Sequence, residues 1–295
     1  MLRFAANRLL GCKPRVPNLT HQGAFARRAV SSSQGCEGLC IENKDNVLWI
    51  KFDRPKKFNA ITSDMYIEMT RSFNDANNDD SIRAIVLTGN GEYYSSGNDL
   101  TNFLKAMQLE GGPQVGFAKA KELLLAFVDS LINLDKLLIA GVNGPAVGIP
   151  VTTLPLCDYV IASDRATFQT PFTALGQCPE ACSSYTIPRI MGPSRAAELL
   201  LLNMVWTAEK ARDYGLVSEV VEQTAFQAHL DKLMKSIVSS TYPGSMMGSK
   251  KLIKDDAMKQ KLRQVNKQEC DIIVNMWLGE ECADAVQKFF SRSKK

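Results

Sequence analysis

The chain has 295 residues, 45% of them apolar, enough for one large domain or two modest ones around a buried core. No stretch approaches the roughly 18 uninterrupted apolar residues of a membrane span, because the richest run, 123–138, is broken by Asp129, Asn133, Asp135 and Lys136. The formal charge of +4 is unevenly placed: Arg3, Arg8, Lys13, Arg15, Arg27 and Arg28 stand in residues 1–36 without one acid, and the remainder carries 29 bases against 31 acids, so net charge gives no argument for nucleic-acid binding.

In chain order, residues 1–36 come first. They are Arg-bearing, Ser-containing and acid-free, with Phe4, Leu9 and Leu10 among the bases, which is the composition of a mitochondrial transit peptide. Asn46 to Asp53 then predicts a strand. Thr62 or Ser63 caps a helix whose Met65, Met69, Phe73 and Ala76 share one face. Ile82 to Leu87 is a short apolar run of the kind found in parallel strands covered on both faces, and a glycine-bearing loop, 89–98, follows it. A helix from about Val115 to Leu134 leads to a second buried strand, Leu137 to Ala140, then to a loop at 143–149 and a further helical segment. Asp158 to Ala162 predicts a third strand. Helical patterns follow at 195–202, 208–214, 226–239 and 265–290. The alternation indicates an α/β protein with a layered, mostly parallel sheet: a catalytic core over 37–235 and a helical C-terminal region over 236–295.

The candidates for chemistry are few. Eight cysteines (12, 36, 40, 157, 178, 182, 270 and 282) form no C-x-x-C pair, and the only histidines are His21 and His229. Neither a Cys–His nucleophile nor a metal site is expected from them. Glu180, in Leu175-Gly176-Gln177-Cys178-Pro179-Glu180-Ala181-Cys182-Ser183-Ser184-Tyr185, stands as a single carboxylate. Two glycine-bearing loops lie upstream, Ser95-Ser96-Gly97-Asn98-Asp99-Leu100 and Asn143-Gly144-Pro145-Ala146-Val147-Gly148-Ile149. Neither contains G-x-G-x-x-G, so they are not dinucleotide loops. One carboxylate facing two sets of backbone N–H groups suits proton abstraction beside a carbonyl, with the amides stabilising the oxyanion.

Five ordered motifs carry a family resemblance from about residue 40 onward. Arg54-Pro55-Lys56-Lys57-Phe58-Asn59-Ala60-Ile61 is similar to the first substrate loop of the crotonase (enoyl-CoA hydratase/isomerase) superfamily. Ser96–Leu100 and Asn143–Gly148 resemble its two oxyanion segments. Ala162–Phe168 and Thr207–Val217 are also family-like. Within the superfamily, Ser96-Gly97-Asn98-Asp99-Leu100-Thr101-Asn102-Phe103 and Pro179–Tyr185 most resemble the Δ3,Δ2-enoyl-CoA isomerases. An acyl-CoA-binding domain, which often precedes the core in those enzymes, is not expected here, where only the basic leader precedes it.

The resemblance implies a crotonase (ClpP-like) spiral of ββα units with a helical C-terminal trimerisation region. It also implies a substrate that is a fatty enoyl-CoA thioester, no cofactor beyond the CoA carried by that substrate, no metal, and a homotrimer or dimer of trimers. It assigns Glu180 as acid/base and the backbone N–H groups of Asn98 and Ile149 as oxyanion donors. Substrate contacts are expected from Ser96, Gly97, Asn98, Asp99, Leu100, Lys57, Ala60 and Gly148. Lys56 is a further candidate for the CoA phosphates, with Lys250, Lys251 and Lys254 as weaker ones.

Hydratases use a second glutamate on the helix after the second oxyanion loop, where this chain has Thr152. That absence favours double-bond isomerisation, in β-oxidation of unsaturated fatty acids. The alternatives are an enoyl-CoA hydratase and a catalytically weak acyl-CoA-binding or interaction module. Two departures bear on activity. Ala181 stands where the isomerase pattern has glycine, and its methyl strains the site or crowds the acyl chain if that backbone needs positive φ. Pro155 is expected to kink the helix behind the second loop. Lys295 replaces the leucine of a Ser-Lys-Leu peroxisomal signal, so the mitochondrial matrix is the expected location, with the peroxisome as the alternative.

Overall fold

Successive residues of the central strands point to opposite faces of a sheet, and both faces are covered. A computed structural model describes residues 36–292 of the chain; the expected transit segment lies, but for Cys36, outside the described residues. The first strands are β1 (Leu39–Lys44), β2 (Val47–Phe52), β3 (Ala84–Gly89) and β4 (Leu137–Val142), and the second group is β5 (Ala146–Val147), β6 (Tyr159–Ser163), β7 (Thr167–Gln169), β8 (Trp206–Thr207) and β9 (Glu219–Val221). They form a six-stranded sheet in the order β1-β2-β3-β4-β6-β9 and a three-stranded sheet in the order β5-β7-β8. In the larger sheet only β1 runs antiparallel to its neighbour.

The helices are α1 (Ser63–Asn77), α2 (Leu100–Met107), α3 (Pro113–Ile132), α4 (Ile149–Thr152), α5 (Ser183–Met191) and α6 (Pro193–Leu200), followed by α7 (Ala208–Asp213), α8 (Phe226–Ser240), α9 (Pro243–Ile253), α10 (Asp256–Trp277) and α11 (Glu280–Arg292). Ile50, Phe52, Ile85, Leu87, Leu138 and Ala140 pack into the main core with Met65, Met69 and Phe73 of α1 and with Val128, Leu131 and Ile132 of α3. Their strand neighbours Val47, Trp49, Ala84, Val86 and Ile139 face the other way, onto Phe226, Leu230 and Met234 of α8. A period of two along each strand thus feeds two cores, which is why these strands read as continuous apolar runs.

The predicted strands and the α1 cap are present: Thr62 Oγ1 accepts the Met65 N–H at 3.3 Å. Two expectations need correction. The single helix predicted over 265–290 is two, α10 and α11, because Leu278 ends the first and Gly279 turns back to Met276 O at 2.9 Å. The helix behind the second loop is not kinked at Pro155. It stops at Thr152 after four residues, and Pro155 sits in a separate 3-10 turn over Leu154–Leu156, where no α-helical hydrogen bond is lost. Several elements also escaped the pattern, among them β1 and α2. β1 is an edge strand whose second half is exposed and polar, and α2 is a short helix started by Asp99, which accepts the Thr101 N–H at 3.0 Å.

Helix α10 packs on both α3 and α5, so the C-terminal helices form part of the same unit as the core. Helices α2 and α3 approach closely at Gly116, where an added Cβ would lie 1.8 Å from Ala106 O. Gly116→Ala is therefore expected to push α2 off α3 and to cost about 1–3 kcal/mol, as overpacking does. Urea unfolding checks this, and an unchanged midpoint would show that α2 docks loosely.

Candidate active site

Strands β3 and β4 are parallel neighbours, so the loops that follow them leave the same edge of the sheet. There they pair with each other. Ser95 bridges Ala146, and the Val147 N–H donates to Ser95 O at 3.0 Å. Asn143 ties the loop bases, accepting from the Gly89 N–H at 3.0 Å and donating to Gly91 O at 2.9 Å. Gly97 has φ +88, and a Cβ there would stand 2.5 Å from Val147 O. Only glycine allows both that conformation and that approach. The Ile61 N–H donates to Gly97 O and the Asp99 N–H to Ile61 O, at 2.8 and 2.9 Å. The intervening Asn98 N–H points away from this ladder. It and the Ile149 N–H, at the first position of α4, have no acceptor among the described residues. Two free amides on two interlocked loops are the arrangement an oxyanion requires.

Glu180 lines a cleft together with Asn98, Leu100, Tyr66, Phe103 and Trp277. Its walls come from α1, α2, α3 and α10 and are largely apolar. The Glu180 carboxylate has no hydrogen-bond donor among the described residues. Burial, reinforced by the nearby Glu269 carboxylate, pushes its pKa up to about 8. A carboxylate that costs this much to ionise is a stronger base once ionised. Tyr66 is buried beside it, and its phenol is pushed up well above the ordinary range, first by burial and then by Glu180.

The segment after Glu180 is strained. Ala181 has φ 57 and Cys182 φ 63, a left-handed pair of non-glycine residues costing on the order of 1–2 kcal/mol each. Positive φ is therefore needed at 181, as the glycine of the pattern suggests. The expected crowding is absent, because the Ala181 side chain is fully buried in the core and does not line the cleft. Glu269, from α10, holds the pair. Its carboxylate accepts the Cys182 N–H at 2.7 Å and the Ser184 N–H at 2.9 Å, at the start of α5. Sequence reading missed Glu269, since nothing local marks one glutamate among the polar residues of a long helix.

Of the other expected contacts, Leu100 and Asn98 line the cleft, while Gly148 and Ser96 lie half-buried in the two loops and Gly97 is buried between them. Ile149 is buried, with its side chain away from the cleft. Asp99 is occupied structurally: besides capping α2 it accepts from Arg54 at 2.8 Å, and Arg54 also donates to Ala60 O at 2.6 Å. This ties the first loop to the oxyanion loop. Lys56 and Lys57 are exposed on that first loop. Lys250 and Lys254 both donate to the fold itself. Lys250 is buried, donating to Asp158 and Lys136 O at 2.6 Å each, and Lys254 donates to Leu131 O at 3.2 Å. Lys251 pairs with Asp135 at 3.4 Å. Thr152 is fully buried, its hydroxyl on Ile149 O at 3.3 Å. Among the described residues no cluster of His, Cys, Asp and Glu has the form of a metal site.

The sequence model of the enoyl-CoA hydratase/isomerase family matches residues 42–295. The chain belongs to the enoyl-CoA hydratase/isomerase family. It is 47% identical to a Homo sapiens protein named enoyl-CoA delta isomerase 2, over 89% of this chain and 66% of that protein, so it spans just under two thirds of that relative. It is 42% identical to the Mus musculus protein named enoyl-CoA delta isomerase 3, peroxisomal, over 91% of this chain and 83% of that one. A solved enoyl-CoA hydratase/isomerase from Pseudoalteromonas atlantica T6c superposes with a TM-score of 0.78 at 31% identity, covering 87% of this chain and 98% of its own. The fold is thus the crotonase fold that the five motifs imply.

Two outcomes follow from the geometry. A base must be ionised to act, and Glu180 is held up to about 8. The kcat/KM of any reaction in which Glu180 takes a proton is therefore expected to rise tenfold per pH unit below about pH 8 and to level off above it. A rate already flat from pH 5 to 8 would remove Glu180 as the base. Ala181→Gly relieves the left-handed strain but frees the unfolded chain and removes a buried methyl. It should leave stability within about 1 kcal/mol of wild type and activity within a few-fold, checked by urea unfolding and steady-state kinetics.

Proposed function

We propose that this protein is a Δ3,Δ2-enoyl-CoA isomerase that moves a 3-cis or 3-trans double bond of a fatty acyl-CoA into the 2-trans position. The thioester oxygen accepts the N–H groups of Asn98 and Ile149. Glu180 takes a proton from C2, the electron pair delocalises into a dienolate held by the two amides, and Glu180 returns a proton to C4. The oxyanion amides contribute a large part of the acceleration, since losing one donor typically costs about 3–4 kcal/mol. The reaction needs no cofactor beyond the CoA of the substrate, and Lys57, exposed on the first loop, is suited to its phosphates.

The observation that carries this reading is that one free carboxylate shares the cleft with Asn98, while the position of the hydratase's second acid is the buried Thr152. The names of the human and mouse relatives support it. The reaction serves β-oxidation of unsaturated fatty acids, with the chains assembled as trimers through the C-terminal helices. The acid-free leader supports a mitochondrial matrix location, while the mouse relative's name supports a peroxisomal one.

Glu180→Gln is expected to lower isomerisation of 3-enoyl-CoA by about 10²–10⁴-fold, the usual contribution of a general base, with CoA-ester binding retained. An absorbance assay with 3-cis and 3-trans substrates reads the first and calorimetry the second. Substantial turnover by the variant would show that another group is the base. Tight binding by a wild-type protein that turns over neither substrate would favour an acyl-CoA-binding module instead.

A further inference from the structure

Glu269 lies 87 positions beyond Cys182, yet its carboxylate occupies the N-terminus of α5 and takes one N–H from within the strained pair, that of Cys182, and one from just after it, that of Ser184. Further bonds from the same stretch reach α10: Cys182 Sγ donates to Leu262 O at 3.2 Å, and Cys178 Sγ lies 3.9 Å from Glu269 O. The base is thus held between two segments fastened to one helix. That helix is itself fixed to α3, because Asn266 Nδ2 donates to Asp129 at 3.0 Å and to Leu125 O at 3.3 Å. A carboxylate is the acceptor suited to this grip, since each of its oxygens takes one N–H and the bonds are charge-assisted.

We propose that Glu269 is a positioning residue of this site: its carboxylate, through the Cys182 and Ser184 amides, holds the left-handed turn that aims Glu180 into the cleft. When ionised, that carboxylate also opposes ionisation of Glu180. This rests on the reading of Glu180 as the base. The titratable groups facing Glu180 are Tyr66 from α1, Cys178 from its own loop, and Cys270 and Glu269 from α10. Burial drives the phenol and both thiols upward, so they stay neutral at working pH and the two carboxyls are the groups of the set that can carry charge. Asp129, Lys121 and Asp271 act on the neighbouring Cys182 and Cys270. Burial raises Glu269 as well, opposed by hydrogen bonding from the Ser184 side chain and from the Ser184 and Cys182 amides. Glu180 has no such donors, and this asymmetry assigns the charge to Glu269 and the transferable proton to Glu180.

The test uses the full-length protein with Glu269→Gln and Glu269→Asp, measuring kcat/KM against pH with a 3-enoyl-CoA and stability by urea unfolding. Glu269→Gln keeps one acceptor oxygen and removes the charge. Its acid limb is expected to move about one pH unit lower, a tenfold change in proton affinity, with a reduced plateau. Glu269→Asp keeps the charge at shorter reach, so its limb should stay near wild type while kcat falls. A limb unmoved in Glu269→Gln, with activity lost only in proportion to unfolded protein, would overturn the assignment. Should Glu269→Gln fail to fold, ¹³C NMR titration of the wild-type glutamate carboxyls decides: two coupled steps support the assignment, and an uncoupled Glu180 step overturns it. Glu180→Gln separates the two readings. If it turns over substrate the base is misassigned, whereas an inert Glu180→Gln beside an unmoved Glu269→Gln limb removes Glu269 alone.

Discussion

The bond from the Val147 N–H to Ser95 O, 3.0 Å long, joins two loops that leave different strands, and the site's geometry follows from it. With that rung in place, the residues after Gly97 and Gly148 present their N–H groups from interlocked backbones and not from separately mobile turns. The parallel pairing of β3 with β4 delivers both loops to one edge. Asn143 holds their bases together, and the missing side chain of Gly97 lets the backbones touch. Preorganised amides of this kind undergo little rearrangement when charge develops on a substrate oxygen, which is why they are effective.

Beside this rigid half sits a strained one. Two successive left-handed residues, neither of them glycine, follow Glu180. Strain of that size persists only where surrounding contacts over-determine it. Here the contacts come from α10, which supplies the Glu269 carboxylate and the Leu262 carbonyl. The same helix ends with Trp277 on the wall of the cleft. Apolar walls and a neighbouring anion both disfavour charge on Glu180, and with no donor nearby to oppose them its proton affinity rises.

Much of this was legible before any coordinates. The strand signal at 46–53 and the apolar run at 82–87 marked two strands of the sheet, and the order of the glycine-bearing loops ahead of Glu180 marked where the cleft would form. Local motifs survive reading because each is written in consecutive residues. What escaped depends on partners remote in sequence. Asp99 reads as a substrate contact until Arg54 is seen across 2.8 Å. Lys250 reads as a phosphate ligand until Asp158 is found beside it. Glu269 is one acid on a polar helix until the turn it grips is folded against it. The split between α10 and α11 was hidden for another reason: Leu278 and Gly279 interrupt the helix without a proline or a polar cluster to announce it.

The long separation between the turn and its clamp has a consequence in time. A chain emerging from the ribosome exposes the 180–184 turn well before Glu269 is made. At about 5–20 residues per second, the 87 residues between Cys182 and Glu269 take roughly 4–17 s to add. At the start of that interval both glycine-bearing loops and strands β1 to β4 and β6 are already synthesised, but the turn lacks the carboxylate that accepts the Cys182 and Ser184 amides. The turn that carries Glu180 therefore waits on α10 for its clamp. A half-made protein can hold the two interlocked loops before the strained turn beside them is fastened.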